Sequence, residues 1–115
     1  MSGGELEASL ASIVARFNGH VEAHPSVREE LGSLRRTIAV RLREGDSYAV
    51  DLRDGRLENL RSPAPDRADV TVRTDRATFQ GLVRREIGPM KAIVTGRLRL
   101  DGSLEDKLLF RKLLG

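Results

Sequence analysis

The stretch GPMKAIVTGRLRLDGSL, which runs from Gly88 to Leu104, decides the fold of this chain. A short apolar helical turn is followed by a predicted strand over residues 96–101, in which apolar and charged residues alternate. Because successive side chains of a strand point to opposite faces, Leu98 and Leu100 share one face and the charged residues share the other. The strand therefore has a dry face, which the apolar residues before and after it must cover.

Two helices are predicted at the N-terminal end of the chain. Apolar residues recur at helical spacing over residues 5–18, which predicts an amphipathic helix that ends near Gly19. Pro25 blocks its continuation. The pair Ser26 and Glu29 has the spacing of a capping box, so a second short helix is expected over residues 26–34.

Alternating residues then predict four strands, which lie at residues 37–43, 48–53, 56–60 and 68–73. Asp54-Gly55 is a strong signal for a two-residue hairpin between the second and third of them. Asp75 has the position of an N-cap for a helix that runs to about Glu86. Ser103, with Asp106 three residues further on, caps a last leucine-rich helix.

These elements predict a single α+β domain over residues 1–115, with an N-terminal helical segment (1–33) and a sheet with its covering helices (34–115). The expected sheet has five strands and is mostly antiparallel. Helices cover one of its faces, and the other face lies in water. The long helical connection between the fourth and fifth strands is expected to be a crossover and not a hairpin.

Composition excludes several classes of protein. The 115 residues include no cysteine, so a disulfide framework and a thiol nucleophile are excluded and the reducing cytoplasm is the expected location. No apolar run approaches the roughly 20 residues of a membrane span. The net charge of +3 arises from 20 basic and 17 acidic residues of interleaved sign, which is typical of a solvated surface and not of a nucleic-acid footprint.

No catalytic group, metal site or cofactor is predicted, and the protein is not expected to be an enzyme. His20 and His24 stand four residues apart, but no third metal ligand has a recognisable spacing and the segment is better explained as a polar linker. The pairs Arg84-Arg85 and Arg97 with Arg99 could clamp a phosphate or a lipid headgroup. The alternation favours the simpler explanation that they are outward charges on a solvated face.

Three pieces of the sequence, in the right order and spacing, resemble the sterol carrier protein 2 (SCP2) family. They are Tyr48 to Gly55, Ala68 to Val72 and Met90 to Leu104. The resemblance implies a five-stranded sheet covered by helices, with an apolar tunnel between the sheet and the helices. It further implies a lipid carrier without catalysis, whose ligand is a fatty acid or other acyl chain, an isoprenoid or a sterol-like molecule.

The residues expected to line that tunnel are apolar and lie on the last three helical segments. They are Phe79, Leu82, Val83, Ile87, Met90, Ile93, Val94, Leu108 and Leu109. An arginine at Met90 or Val94 is expected to abolish lipid uptake at some cost in stability, because an unpaired buried guanidinium is expensive.

The same residues at helical spacing also fit a solid core. That alternative predicts an interaction or dimerisation module with the same fold. A transient membrane or enzyme partner is compatible with the carrier, and the protein is expected to be a monomer or a homodimer.

Overall fold

The computed structural model of the protein describes the backbone of residues 2–108 and the side chains of residues 6–108. The elements follow one another as α1 (Ser2–Ala23), α2 (Pro25–Leu31), β1 (Arg35–Leu42), β2 (Ser47–Arg53), β3 (Arg56–Arg61), β4 (Val70–Thr74), α3 (Arg76–Val83), α4 (Pro89–Val94) and β5 (Arg99–Gly102). Residues 104–108 form a further helical segment. Within the described part of the chain, no helix is both long enough and apolar enough to cross a membrane.

The five strands form one sheet in the order β3-β2-β1-β4-β5. The pairs β1–β2, β2–β3 and β4–β5 are antiparallel, and β1–β4 is parallel. The predicted five-stranded, mostly antiparallel sheet is confirmed, but the predicted crossover between the fourth and fifth strands is wrong. The helical connection returns to the neighbouring strand in the antiparallel sense, and the crossover is the loop from β3, at one edge, to β4 beside β1.

That crossover loop, residues 62–69, packs on the sheet face opposite the helices. Ala39 and Ala49 lie opposite each other in β1 and β2, and both are buried together with Ala64 of the loop. The backbone N–H of Ala64 donates to Ser47 Oγ at 2.9 Å, and Arg41 donates to the carbonyl oxygen of Pro65. The expectation that this face lies in water is therefore wrong at its centre. The alanine side chains of β1 and β2 are small enough for the loop to pack directly against the sheet.

The inner face of the sheet forms the main core with the helices. Its sheet residues occupy one phase of each strand: Ile38, Val40, Leu42, Tyr48, Val50, Leu52, Val70 and Val72. α1 adds the buried Leu6 and Leu10, and it lies against β3 and α3. The alternation in the sequence thus identifies correctly which residues of each central strand face the helices.

α1 runs to Ala23 and does not end at Gly19 as predicted. A glycine in a helix costs only about 1 kcal/mol, and the turn beyond it buries Val21, which is 1% exposed. α2 begins at Pro25 and ends at Leu31, and no side chain caps its N-terminus. The predicted capping box at Ser26 is wrong, because proline itself takes the first helical position, where its missing N–H is not needed.

β5 starts at Arg99 and not at Gly96, because residues 97 and 98 make backbone hydrogen bonds to α4 and not to the sheet. The backbone N–H groups of Arg97 and Leu98 both donate to the carbonyl oxygen of Ala92, and Gly96 has a φ of +77°. A glycine in the left-handed region after a helix is a common C-terminal cap. Leu98 is buried, as predicted, although it precedes the strand.

α3 is capped as predicted, and its capping is testable. Asp75 Oδ1 accepts from the backbone N–H of Thr78 at 2.7 Å, and this hydrogen bond lowers the pKa of Asp75. We expect Asp75→Ala to lower the free energy of unfolding by about 1 kcal/mol at neutral pH.

The pH dependence of that effect follows from the lowered pKa of Asp75. A carboxyl with a lowered pKa contributes its stability above the unfolded-state pKa, and this stability is lost as the pH falls through the folded-state pKa. The difference in the free energy of unfolding between wild type and Asp75→Ala should therefore become smaller below about pH 4, as measured by urea unfolding. Asp75→Asn is the control, since it keeps a capping oxygen without a charge. An unchanged difference at low pH would contradict the assignment.

Candidate functional site

The predicted ligand-binding residues fall into three groups by exposure. Phe79 is buried and belongs to the main core. Leu82, Val83, Ile87 and Ile93 are partly buried and pack against that core. Three further residues are exposed: Met90 by 43%, Val94 by 80% and Leu108 by 54%. Leu109 lies outside the described residues.

The link between α3 and α4 folds Ile87 back onto α3. The backbone N–H groups of Glu86 and Ile87 both donate to the carbonyl oxygen of Gly81, and Arg85, directly before them, has a φ of +61°. A Cβ at Gly81 would lie 2.6 Å from Cδ1 of Ile87, so the glycine provides the space that this side chain occupies. The link also ends α3 at Val83, earlier than predicted. It brings Phe79, Leu82 and Ile87 to one region of the core.

α4 has one side toward the protein and one toward solvent. Ala92 is fully buried and Ile93 is half-buried, whereas Met90 and Val94, four residues apart, are exposed on the other side. An arginine at Val94 would stay hydrated, so the expected cost in stability from burying its charge is wrong for that position. The apolar spacing of a two-turn helix identifies its faces but not which face has a partner.

The wall opposite these helices is the apolar inner face of the sheet. Val72 of β4 faces Leu100 of β5, and Tyr48 of β2 lies beside Val40 of β1. Tyr48 is 5% exposed, and its burial raises the pKa of the phenol. This wall presents aliphatic side chains and one tyrosine to the helices.

One polar contact joins the last described helical segment to the sheet, and sequence analysis missed it. Arg36 Nε donates to Asp106 Oδ1 at 2.7 Å, and Asp106 is 8% exposed. The backbone N–H of Asp106 donates to Ser103 Oγ, so the predicted cap at Ser103 is present as well. Arg36 occupies the apolar phase of β1, two residues before Ile38. A charge in that phase is the signal that could have indicated a buried partner.

The structure also contains a cavity of about 520 Å³ between α1 and β3, which is broadly open to solvent. The residues around it are Ala11, Val14, Ala15, Asn18, Gly19, Glu22, Arg56, Glu58, Asn59 and Leu60. None of the predicted ligand-binding residues lines this cavity. On the helix side, the small residues Ala11, Ala15 and Gly19 are spaced four residues apart and leave space for the cavity. This spacing is visible in the sequence and could have indicated the cavity.

Asn18 lines that cavity and joins α1 to β3. Its side-chain nitrogen donates to the carbonyl oxygen of Leu57 at 2.9 Å, and its side-chain oxygen accepts from the N–H of Leu57 at 2.8 Å. β3 is an edge strand, so this amide takes the place of a neighbouring strand. Glu22 and Arg56 close one end with an ion pair at 3.0 Å, 52–61% exposed. The cavity is therefore polar near Glu22 and Arg56 and apolar along Ala11, Val14 and Ala15.

A second polar cluster lies on the outer sheet face around Asp51. Burial by itself raises the pKa of Asp51, but hydrogen bonds from Asn59, Arg61 and Thr37 outweigh it and hold the pKa below its usual value. The three donors come from β3 and β1, at distances of 3.1–3.2 Å. This cluster ties three strands together beside the irregularity in the β2–β3 pairing.

His20 lies in the last turn of α1, and His24 follows that helix. Their rings stack with centroids 4.2 Å apart, and His24 Nδ1 lies 2.8 Å from the carbonyl oxygen of His20. Over the part of the chain that the structure describes, no three His, Asp or Glu side chains come together as a metal-binding group. Arg84, Arg85, Arg97 and Arg99 are all exposed.

Comparison with known proteins gives one family match. The family model described as the SCP-2 sterol transfer family matches residues 16–115. No curated protein matches the sequence closely enough to count as a relative.

Solved structures share the fold. A structure of sterol carrier protein 2 is 18% identical, with 93% of this chain and 91% of that chain covered and a TM-score of 0.66. A palmitated SCP2L2 from Aedes aegypti is 15% identical, with coverage of 89% and 90% and a TM-score of 0.61.

A double mutant of the sec-alkyl sulfatase PisA1, an enzyme from Pseudomonas sp., is 26% identical with a TM-score of 0.58. The match covers 75% of this chain but only 14% of the sulfatase. The chain therefore corresponds to a small part of that enzyme.

Proposed function

Because this chain belongs to the SCP-2 sterol transfer family, we propose that it is a lipid-binding carrier protein without catalytic activity. Its ligand is a fatty acyl chain, an isoprenoid or a sterol-like molecule, held between the inner sheet face and residues 79–108. The proposal keeps the cytoplasmic location expected for a chain without cysteine.

The observation that carries the proposal is incomplete burial of the apolar residues on the covering segments. Leu82, Val83, Ile87 and Ile93 pack against the core and yet remain partly exposed. The sheet residues that they face are almost fully buried. α4 has only sparse contacts with the other described helices and strands, so a small shift of α4 could admit a ligand. Because the sheet wall is already covered without a ligand, binding requires the covering segments to move, and their partly exposed apolar residues favour that movement.

The energetics need no specific hydrogen bond. Burial of about 14 methylenes at about 0.8 kcal/mol each contributes roughly 11 kcal/mol. Loss of translational and rotational freedom on association costs several kcal/mol of this. The remainder corresponds to dissociation constants around the micromolar range. The palmitated relative is consistent with an acyl chain as the ligand of this fold.

Ligand binding is tested first on the unmodified protein. We expect native mass spectrometry of protein purified from cells to show a bound lipid, and a natural fatty acid to displace a fluorescent one at micromolar concentrations. Protein without lipid and without displacement would contradict the carrier and favour the alternative, an interaction module with a filled core.

Two arginine substitutions on α3 test where the ligand binds. Leu82→Arg places a guanidinium against the core, and Ala77→Arg places the same group at an exposed position of the same helix. We expect Leu82→Arg to weaken displacement at least about tenfold, because the charge must be desolvated, and Ala77→Arg to leave it unchanged. Circular dichroism of both variants checks that they fold. Equal behaviour of the two folded variants would place the ligand elsewhere, with the cavity between α1 and β3 as the next candidate.

A further inference from the structure

The exposed large apolar side chains of the described residues are concentrated at one end of the chain. They are Met90, Val94, Leu104 and Leu108, all within 19 consecutive residues. Met90 and Val94 stand on the solvent side of α4, beside Lys91. Exposed aliphatic side chains beside a cation are the combination that interfacial helices present to a lipid surface.

The same region carries the chain's positive excess. Residues 84–97 contain the cations Arg84, Arg85, Lys91 and Arg97 and one carboxylate, Glu86. Their net charge of +3 equals that of the whole chain, so the remaining residues are neutral in sum. All four cations are exposed, and none forms an ion pair with any carboxylate whose side chain the structure describes. Exposed cations without a close ion pair are available to an external anion, although Arg97 also acts electrostatically on Asp75.

We infer that Arg84, Arg85, Met90, Lys91 and Val94 form a docking surface for an anionic phospholipid bilayer. The cations would lie among the lipid phosphates, and the two aliphatic side chains would enter the interface, as in amphipathic helices that lie on membranes. This inference rests on the proposed function and deepens it, because the same segment that would cover the ligand then faces the lipid source.

A nucleic acid is the other polyanion that could meet these cations, and the side chains argue against it. Single-stranded nucleic acids are bound by stacking bases on aromatic rings. The described aromatic residues are Phe17, Tyr48 and Phe79, and all three are buried or half-buried. Exposed aliphatic groups beside cations favour the edge of a bilayer.

The first test is co-sedimentation of the full chain with vesicles. We expect binding to vesicles of phosphatidylcholine mixed with phosphatidylglycerol, weak binding to phosphatidylcholine alone, and a loss of binding in high salt. Arg84→Glu with Arg85→Glu should weaken binding about 25-fold or more, at about fivefold for each cation removed. Arg43→Glu with Arg67→Glu is the control. It changes the net charge by the same amount at exposed positions outside the surface.

The second test reports on insertion. The chain contains no tryptophan, so Val94→Trp introduces a single tryptophan whose emission can be followed. Its emission should shift to the blue on addition of the anionic vesicles. Asp66→Trp, in the exposed loop on the opposite sheet face, should show no shift.

The outcomes separate this inference from the carrier function. Displacement of a fluorescent fatty acid without vesicles should be unchanged in Arg84→Glu with Arg85→Glu. If a natural fatty acid does not displace the fluorescent one from the unmodified protein, the carrier function is contradicted. Vesicle binding can still be measured in that case. Equal effects of the two charge-reversal pairs, or an RNA oligonucleotide that prevents the blue shift by binding in its place, would overturn the docking surface.

Discussion

Gly102→Ala is expected to lower the free energy of unfolding by on the order of 3 kcal/mol. Gly102 has a φ of +151°, which L-residues rarely adopt, and a Cβ built on it would lie 2.6 Å from the carbonyl oxygen of Asp69. That oxygen belongs to the backbone that leads into β4, so it cannot swing away as a side chain would. Because Gly102 faces Val70 in the β4–β5 pairing, the substitution should disturb the last strand of the sheet.

Gly96→Ala is the matched control for this prediction. Gly96 also has a positive φ, of +77°, but a Cβ there would meet no atom within 4 Å. Its expected cost is about 1 kcal/mol, from the left-handed backbone alone. Urea unfolding of both variants measures the difference. Equal losses for the two glycines would show that the contact with Asp69 contributes nothing.

Phe79→Ala is expected to lower the free energy of unfolding by about 4 kcal/mol. Phe79 is 6% exposed on α3 and belongs to the main core, so removal of its ring takes away buried apolar surface and leaves a cavity. Part of that cost can be recovered if Leu82 and Ile87 relax into the space. The substitution therefore measures how firmly the covering helices are packed.

Phe17→Ala provides the comparison on α1. Phe17 is half-buried and packs against the same core, so its removal should cost about 2 kcal/mol, in proportion to the smaller area that it buries. Chemical unfolding of both variants gives the two values. A larger loss for Phe17 than for Phe79 would mean that α3 covers the sheet only loosely.

Local signals in the sequence predicted the turns and caps that need particular residues. Asp54 and Gly55 both have positive φ, as a two-residue hairpin of the predicted kind requires. Asp75 caps α3 through Thr78, and Ser103 caps the last helical segment. Each of these contacts spans three residues or fewer, so a short window of sequence contains all of its partners.

The candidate site was predictable in part. The sequence identified Phe79, Leu82 and Ile93 as apolar residues on covering helices, and the structure packs all three against the core. It did not indicate that Met90 and Val94 face solvent, because helical spacing groups residues by face without showing whether another element covers that face. The role of these residues in ligand binding stays a prediction.

The sequence by itself determined the five amphipathic strands, their inward residues, and the family. Those properties depend on the order of residues along the chain, and side-chain direction in a strand repeats every two residues. Only the tertiary structure decided that β4 lies parallel to β1, that Arg36 meets Asp106, and that the loop of residues 62–69 covers the outer face. These contacts join residues far apart in sequence, and the free energy that selects them comes from surfaces that become neighbours only when the chain has folded.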